Sequence, residues 1–370
     1  MLPAFQVDAA GSEKPVWTTQ LVGKAGNADT YDLGRTFIDI GPSGRSVILY
    51  ASGPNKQNGF DLRLARGPYS DGSFHIDRID PTDKLQTGYG SLALGPKGGA
   101  HVSYVHGVFQ DQGILKYAVR RPAGSTIETV DDTMWVGRTA IALDSHHHPV
   151  IAYTRTVAGT PELRIATRGP GGWVTSPVTS APIQVLDLAI DANDHPEIAY
   201  IVNTDIPGNL YEARLATFDG ISWSFEDVGF VSTPGIDFGI DLLINRHGKE
   251  DVVYSVYDPK QGLEYAHRTN TGWKMQLVAK GDLRWPSAAY DAQGHLHVVF
   301  YGATQGSLRY GQLVAGQWQL QTIADRKSPH IRIGRFSAIA MDAGGRAHVS
   351  YYVGNEFTGT TLHYAVSTPV

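Results

Sequence analysis

His106 and Arg155 carry the side chains best suited to chemistry in this chain. An imidazole moves protons near neutral pH. A planar guanidinium fork grips a carboxylate through two parallel bonds. Each of the two stands two residues after an aromatic, Tyr104 or Tyr153, at the end of an apolar segment. Five similar segments carry Ser52, Val202, Val256, Gly302 and Val353 at the same place, so the cationic pair breaks a pattern. A second set of cations precedes such segments: Gly34-Arg35, Gly137-Arg138 and Gly334-Arg335, with Arg284-Trp285 beside them. Arginines gathered at one opening repel each other unless an anion or nearby acids such as Asp32, Asp237 and Asp282 neutralise them. Tyr31, Tyr89, Trp135, Trp285, Tyr301 and Tyr352 fall in the same regions, suited to stacking on sugar rings or to filling a channel.

The elements that position these residues repeat. Strand-ending aromatics occur at Tyr50, Tyr104, Tyr153, Tyr200, Tyr254, Phe300 and Tyr351, a period of about 50 residues. A following Leu-x-x-Ala/Gly begins at Leu62, Leu115, Leu163, Leu210, Leu263, Leu308 and Leu362. A turn of the form Asp-x-x-Gly precedes the aromatic strand, and a fourth strand opens with Phe74, Ile127, Trp173, Trp223, Trp273 or Trp318. The last unit ends at Val370 without that strand, while Trp17-Thr-Thr-Gln-Leu-Val22 supplies its pattern at the other end. Four short strands per unit, without helical periodicity, predict an all-β, seven-bladed β-propeller with four antiparallel strands per blade. The expected blades span 31–80, 86–130, 136–179, 184–229, 236–279 and 284–324. The inner strands of the seventh, 333–366, are closed by the outer strand 14–22, and residues 1–370 form one domain.

A residue shared by most units serves the fold first. On that ground His101, His297 and His348, each three residues before its aromatic, are expected to bond within the blades, and the blade tryptophans to pack. His146-His147-His148 fills a turn at the other end of the strands.

The chain has 370 residues, a net charge of −5 and no Cys. Disulfides, thiolate metal sites and cysteine nucleophiles are therefore excluded. The absence of a basic stripe argues against nucleic acid, and the absence of a long apolar run argues against a membrane span. Met1–Ala10 lacks the features of a signal peptide, and a secreted or periplasmic mature chain, monomeric, is the expected setting.

The repeat Asp-x-x-Gly-x-x-His-Val-x-Tyr followed by Leu-x-Tyr-Ala, as in Asp291–His297, resembles the seven-bladed polysaccharide lyases that include ulvan and rhamnose–glucuronate lyases. The resemblance implies His106 as a catalytic histidine, Tyr153 as its tyrosine, and Arg155, Arg164 or Arg168 as the arginine. Gln86-Thr87 stands where that family has its first histidine. The implied reaction is β-elimination on a uronate-containing polysaccharide, with Arg138, Arg164, Tyr89, Arg35, Arg284, Trp285 and Arg335 as substrate-binding candidates. No cofactor is required, and a structural or central Ca2+ is compatible with the fold. A glycoside hydrolase, a lectin and a non-catalytic interaction scaffold are the alternatives. A lectin would repeat its site between blades, whereas here the ligand-facing residues differ from unit to unit.

Overall fold

Short runs rich in Val, Ile, Tyr and Leu, punctuated by Gly and Asp turns, form strands throughout the chain. The computed structural model describes residues 14–26, 34–53, 60–81, 86–107, 113–121, 124–204, 210–232, 239–257, 261–355 and 359–370, and none of these is helical. The first strand is β1 (Trp17–Gly26). One four-stranded sheet follows from β2 (Phe37–Ile40), β3 (Ser46–Ser52), β4 (Asp61–Gly67) and β5 (His75–Arg78). A seven-stranded sheet joins β6 (Gln86–Leu94), β7 (Ala100–His106), β8 (Gly113–Arg121), β9 (Gly124–Leu143), β10 (Pro149–Val157), β11 (Thr160–Gly169) and β12 (Gly172–Thr179). Then come β13 (Ile183–Ile190), β14 (Pro196–Asn203), β15 (Tyr211–Phe218) and β16 (Trp223–Ser232). The next sheet holds β17 (Ile240–Ile244), β18 (Glu250–Val256), β19 (Gly262–Thr269) and β20 (Gly272–Lys280). Its neighbour holds β21 (Leu283–Tyr290), β22 (Leu296–Gly302), β23 (Ser307–Val314) and β24 (Gln317–Ala324). The last sheet is ordered β1, β27 (Gly359–Pro369), β26 (Arg346–Asn355) and β25 (Ile331–Met341).

β1 thus adds to the last sheet, with Trp17 opposite Ser367 and Gln20 opposite Tyr364. All pairings are antiparallel meanders, which short turns can connect. The first strands of the sheets touch in sequence: β2 meets β6, β6 meets β9, β9 meets β13, β13 meets β17, β17 meets β21, β21 meets β25, and β25 meets β2. The second strands are covered on both sides. Ser46–Ser52 is buried at every residue, which is why it reads as a continuous apolar run rather than an alternation.

Aromatics couple neighbouring sheets. Trp17, Phe74, Trp173 and Trp318 each open or precede an outer strand. They pack edge-on against Tyr310, Tyr364, Tyr117 and Tyr265 of the adjacent unit, at centroid distances of 5.2, 5.4, 5.1 and 5.8 Å. Three of these tyrosines also bond a histidine, of which His297 and His348 are buried and His101 half-buried. His101 Nδ1 lies 2.6 Å from the Tyr117 hydroxyl, His297 Nδ1 2.7 Å from Tyr310, and His348 Nδ1 2.5 Å from Tyr364. Burial, with Arg121 beside it, pushes His101 down to about 4, as a packing role requires.

One sequence expectation needs correction. The residue equivalent to Leu62 and Leu263 in the β13–β16 sheet is Ala213 and not Leu210, because Tyr200 pairs with Arg214 just as Tyr254 pairs with Glu264. β9 runs on from one unit to the next, its residues 124–131 pairing with β8 and its residues 136–143 with β10.

Candidate functional site

Strand pairing defines equivalent positions on the first strands. Phe37, Ser91, Ala140, Asp187, Asp241, Ser287 and Ala338 each lie opposite the residue before the strand-ending aromatic. Two residues earlier stand Arg35, Tyr89, Arg138, Val185, Gly239, Trp285 and Phe336. Arg284 and Arg335 therefore fall one residue outside the positions of Arg35 and Arg138, and the four do not make one ring. The fork of Arg284 is closed on Asp282, at 2.6 and 2.7 Å. Arg335 is buried, with its guanidinium 6.0 Å from the Tyr301 ring. Trp285 stacks on Phe336 at 4.1 Å and on Tyr301 at 5.5 Å; Trp285, Tyr301 and Tyr352 are buried and Phe336 is partly buried. Asp32, Asp237 and Tyr31 lie outside the described residues.

Arg35 reaches to β17 and β21, bonding Asp241 Oδ1 at 2.6 Å and the Pro286 carbonyl at 2.8 Å. Gly239 makes the close approach there feasible, since a Cβ would meet Pro286 Cδ at 2.5 Å. The other Asp241 oxygen accepts from Ala288 N, and Asp187 accepts from Leu242 N. Burial and the charge of Asp241 push the Asp187 carboxyl up to about 7, against the pull of Arg35. Sequence reasoning missed both acids. Their signal was an Asp inside an apolar strand, Leu186-Asp187-Leu188 and Ile240-Asp241-Leu242, where a carboxylate needs a built partner. Among the described residues no group of three or more His, Asp or Glu side chains is placed to hold a metal ion. His146 and His148 are exposed and turn to Asp194 and Asp144.

The proposed catalytic cluster is gathered by an acid that the sequence did not single out. Asp131, buried in β9, accepts from Tyr153 Oη at 2.6 Å and from Arg155 Nη1 at 2.9 Å. Arg155 also donates to Thr133 Oγ1 at 3.1 Å. Arg164 donates to Tyr153 Oη at 3.3 Å and to Glu162 at 2.8 Å. Burial pushes Asp131 up, but Tyr153, Thr133 and Arg155 outweigh it and hold the carboxyl below its usual range. Tyr153 is fully buried, and burial followed by its bond to Asp131 raises it to about 12, so it stays a protonated donor. Arg168 is held elsewhere, bidentate on Glu128 at 2.9 and 3.0 Å. His106 is half-buried at the end of β7, opposite Gln86 and Ile114.

Next to this cluster lies Trp135. Asp131 pairs with Leu115 and Val136 with Gly113, so five steps along β9 match two along β8 and residues 132–135 bow outward. Trp135 sits there at φ +80°, an unusual conformation for a bulky residue, and is 49% exposed. Val136 pairs with Arg155, and the Arg138 backbone N–H bonds Thr154 Oγ1 at 2.8 Å. The Arg138 guanidinium lies 4.1 Å from the Tyr89 ring centroid. Trp135 therefore precedes the backbone partner of Arg155 on β9, with Arg138 three residues further along the same strand.

No family model matches the chain, and no curated protein matches its sequence. Solved structures match along nearly its whole length. The polysaccharide lyase Uly1 is 9% identical, with a TM-score of 0.56 over 98% of this chain and 93% of that one. The BP39L lectin from Burkholderia pseudomallei is 10% identical, with a TM-score of 0.58 over 90% and 98%. An α-L-arabinanase of Penicillium chrysogenum is 11% identical, with a TM-score of 0.55 over 95% and 98%. The chain is an all-β protein with the β-propeller fold these neighbours share.

Proposed function

We propose that the chain is a closed seven-bladed propeller that binds an acidic polysaccharide at its mouth, between the second and third blades. The seven strand-two aromatics, the cycle of contacts among the first strands and the pairing of β1 with β27 support the ring. Neighbours named as a polysaccharide lyase, a lectin and an arabinanase support a sugar ligand. The observation that carries the site is Trp135, an exposed aromatic held in a left-handed conformation on the bulge beside Arg155. Its ring would stack on one sugar face, while Arg138 and Arg155 take the carboxylate. Arg155 can turn to a ligand because its Asp131 partner keeps bonds from Tyr153 and Thr133.

Cleavage is the second reading, and His106 is the observation that favours it. A uronate held by Arg155 has an acidified proton beside the carboxylate. A neutral imidazole that removes it would expel the leaving oxygen and leave an unsaturated sugar. Tyr153 would then stabilise Asp131 rather than move protons. The test is binding to a panel of uronate-containing and neutral polysaccharides, with ultraviolet absorbance read for unsaturated ends. Wild type should retain the acidic members, and Trp135→Ala should weaken retention about tenfold, the worth of one stacked ring. Equal retention by Trp135→Ala would remove the site from this bulge. Absorbance that rises with wild type and not with His106→Ala would mark an eliminase.

A further inference from the structure

The β17–β20 sheet departs from the buried relay of the sheets that follow it. In the β21–β24 sheet, His297 bridges Asp291 of the first turn, at 3.3 Å, and the Tyr310 hydroxyl. Asp342, His348 and Tyr364 repeat this in the last sheet. The register equivalents in β17–β20 are Asn245, Asp251 and Tyr265, so the carboxylate moves from the turn into the strand. The imidazole reappears at His267, opposite Asp251, where the next two sheets carry Gln312 and Val366. Asp251 is fully buried and satisfied. One oxygen accepts from Tyr265 Oη at 2.8 Å and from His267 Nδ1 at 2.6 Å. The other accepts from Asn245 Nδ2 at 3.1 Å and from Tyr290 Oη of the neighbouring sheet.

A cavity of about 250 Å³ opens above this carboxylate, at the end of the strands remote from Arg155. Its wall carries Arg246, His247, His267, Tyr290, His295 and Leu313. Arg246 spends one nitrogen on the Gln293 carbonyl at 2.9 Å and another on His247 at 3.3 Å, leaving guanidinium donors over. His267 is 38% exposed, and with Nδ1 committed to Asp251 it has only Nε2 to turn to a ligand. The wall therefore concentrates guanidinium and imidazole groups, while its one buried carboxylate is fully bonded already.

We propose that this cleft is a second ligand site, specific for a small oxyanion such as a carboxylate or phosphate, with Arg246 and His267 as its anchors. Asp251 acts as a positioning residue that fixes the His267 ring and shares the positive charge the ring takes up when Nε2 donates to the anion. The site is distinct from the mouth and does not depend on the polysaccharide reading.

The test follows the histidine side-chain resonances of the intact protein by NMR during titration with inorganic phosphate and, separately, with glucuronate. Saturable movement of the His267 resonances is expected, weakened about tenfold in Arg246→Gln and unchanged in Arg155→Ala. Arg246 is exposed, so its variant should fold normally. A response to phosphate alone assigns a phosphoryl ligand, and a response to glucuronate alone assigns a carboxylate. No saturable response to either anion, or affinity unchanged in both Arg246→Gln and His267→Gln, overturns the proposal.

Discussion

At the residue scale, the Tyr153–Arg155 cluster is organised by one carboxylate. Asp131 carries Tyr153 and Arg155 together, and its side chain is 5% exposed against 14% for Arg155. Removing one member of so buried a pair strands the other charge and typically costs about 3–5 kcal/mol. Asp131→Asn and Arg155→Met should therefore each lower the urea midpoint of unfolding, and the double variant should lose less than the sum of the two. Strictly additive losses would show that the pair is not what the cluster depends on. Arg155 and Tyr153 were legible in the sequence because they sit at a counted distance in a repeat. Asp131 was not, because it lies 22 residues before Tyr153 on another strand and nothing in the spacing joins them.

At the element scale, the strands were read with most success where the repeat is regular. The Trp17 segment was recognisable from its likeness to Trp273 and Trp318, and β1 pairs with β27 across most of its length. Trp17 also packs on Tyr310, and its indole N–H reaches Gln321 at 3.3 Å. Deleting residues 14–22 should thus expose the edge of β27 and uncover Tyr310 together. Thermal unfolding of the truncated chain should occur at clearly lower temperature, and a melt superimposable on the full-length one would refute the role of β1. Bulges change the phase, and the spacing registers it: Arg35 and Arg138 lie six residues before the turn, Arg284 and Arg335 seven. Irregular pairing between Arg284 and Ser287, and between Arg335 and Ala338, shifts Arg284 and Arg335 one position from Arg35 and Arg138. Gly34-Arg35, Gly137-Arg138 and Gly334-Arg335 are identical dipeptides, while the backbone presents the last to different surroundings.

At the scale of the whole molecule, Arg35, Asp187 and Asp241 tie together strands that are far apart in sequence, which no local pattern could announce. The Asp187 carboxyl, raised to about 7, gives this tie a pH dependence. An unfolded chain ionises the same group in the ordinary carboxylate range. Between that range and about pH 7 the unfolded chain has lost a proton that the folded chain keeps, so stability falls as pH rises through the window. Asp187→Asn keeps an oxygen for Leu242 N and removes that loss. Its melting temperature relative to wild type should improve on going from about pH 5 to about pH 8. A constant difference would place the titration elsewhere. β9 has a consequence of another kind. Residues 124–131 of β9 pair with β8 and residues 136–143 with β10, and Val136 pairs with both. Amide exchange in the two halves can therefore run separately, while a ligand seated at Trp135, between them, would slow both at once. The cleft above Asp251 has its walls on two separate sheets, so exchange there can proceed one wall at a time.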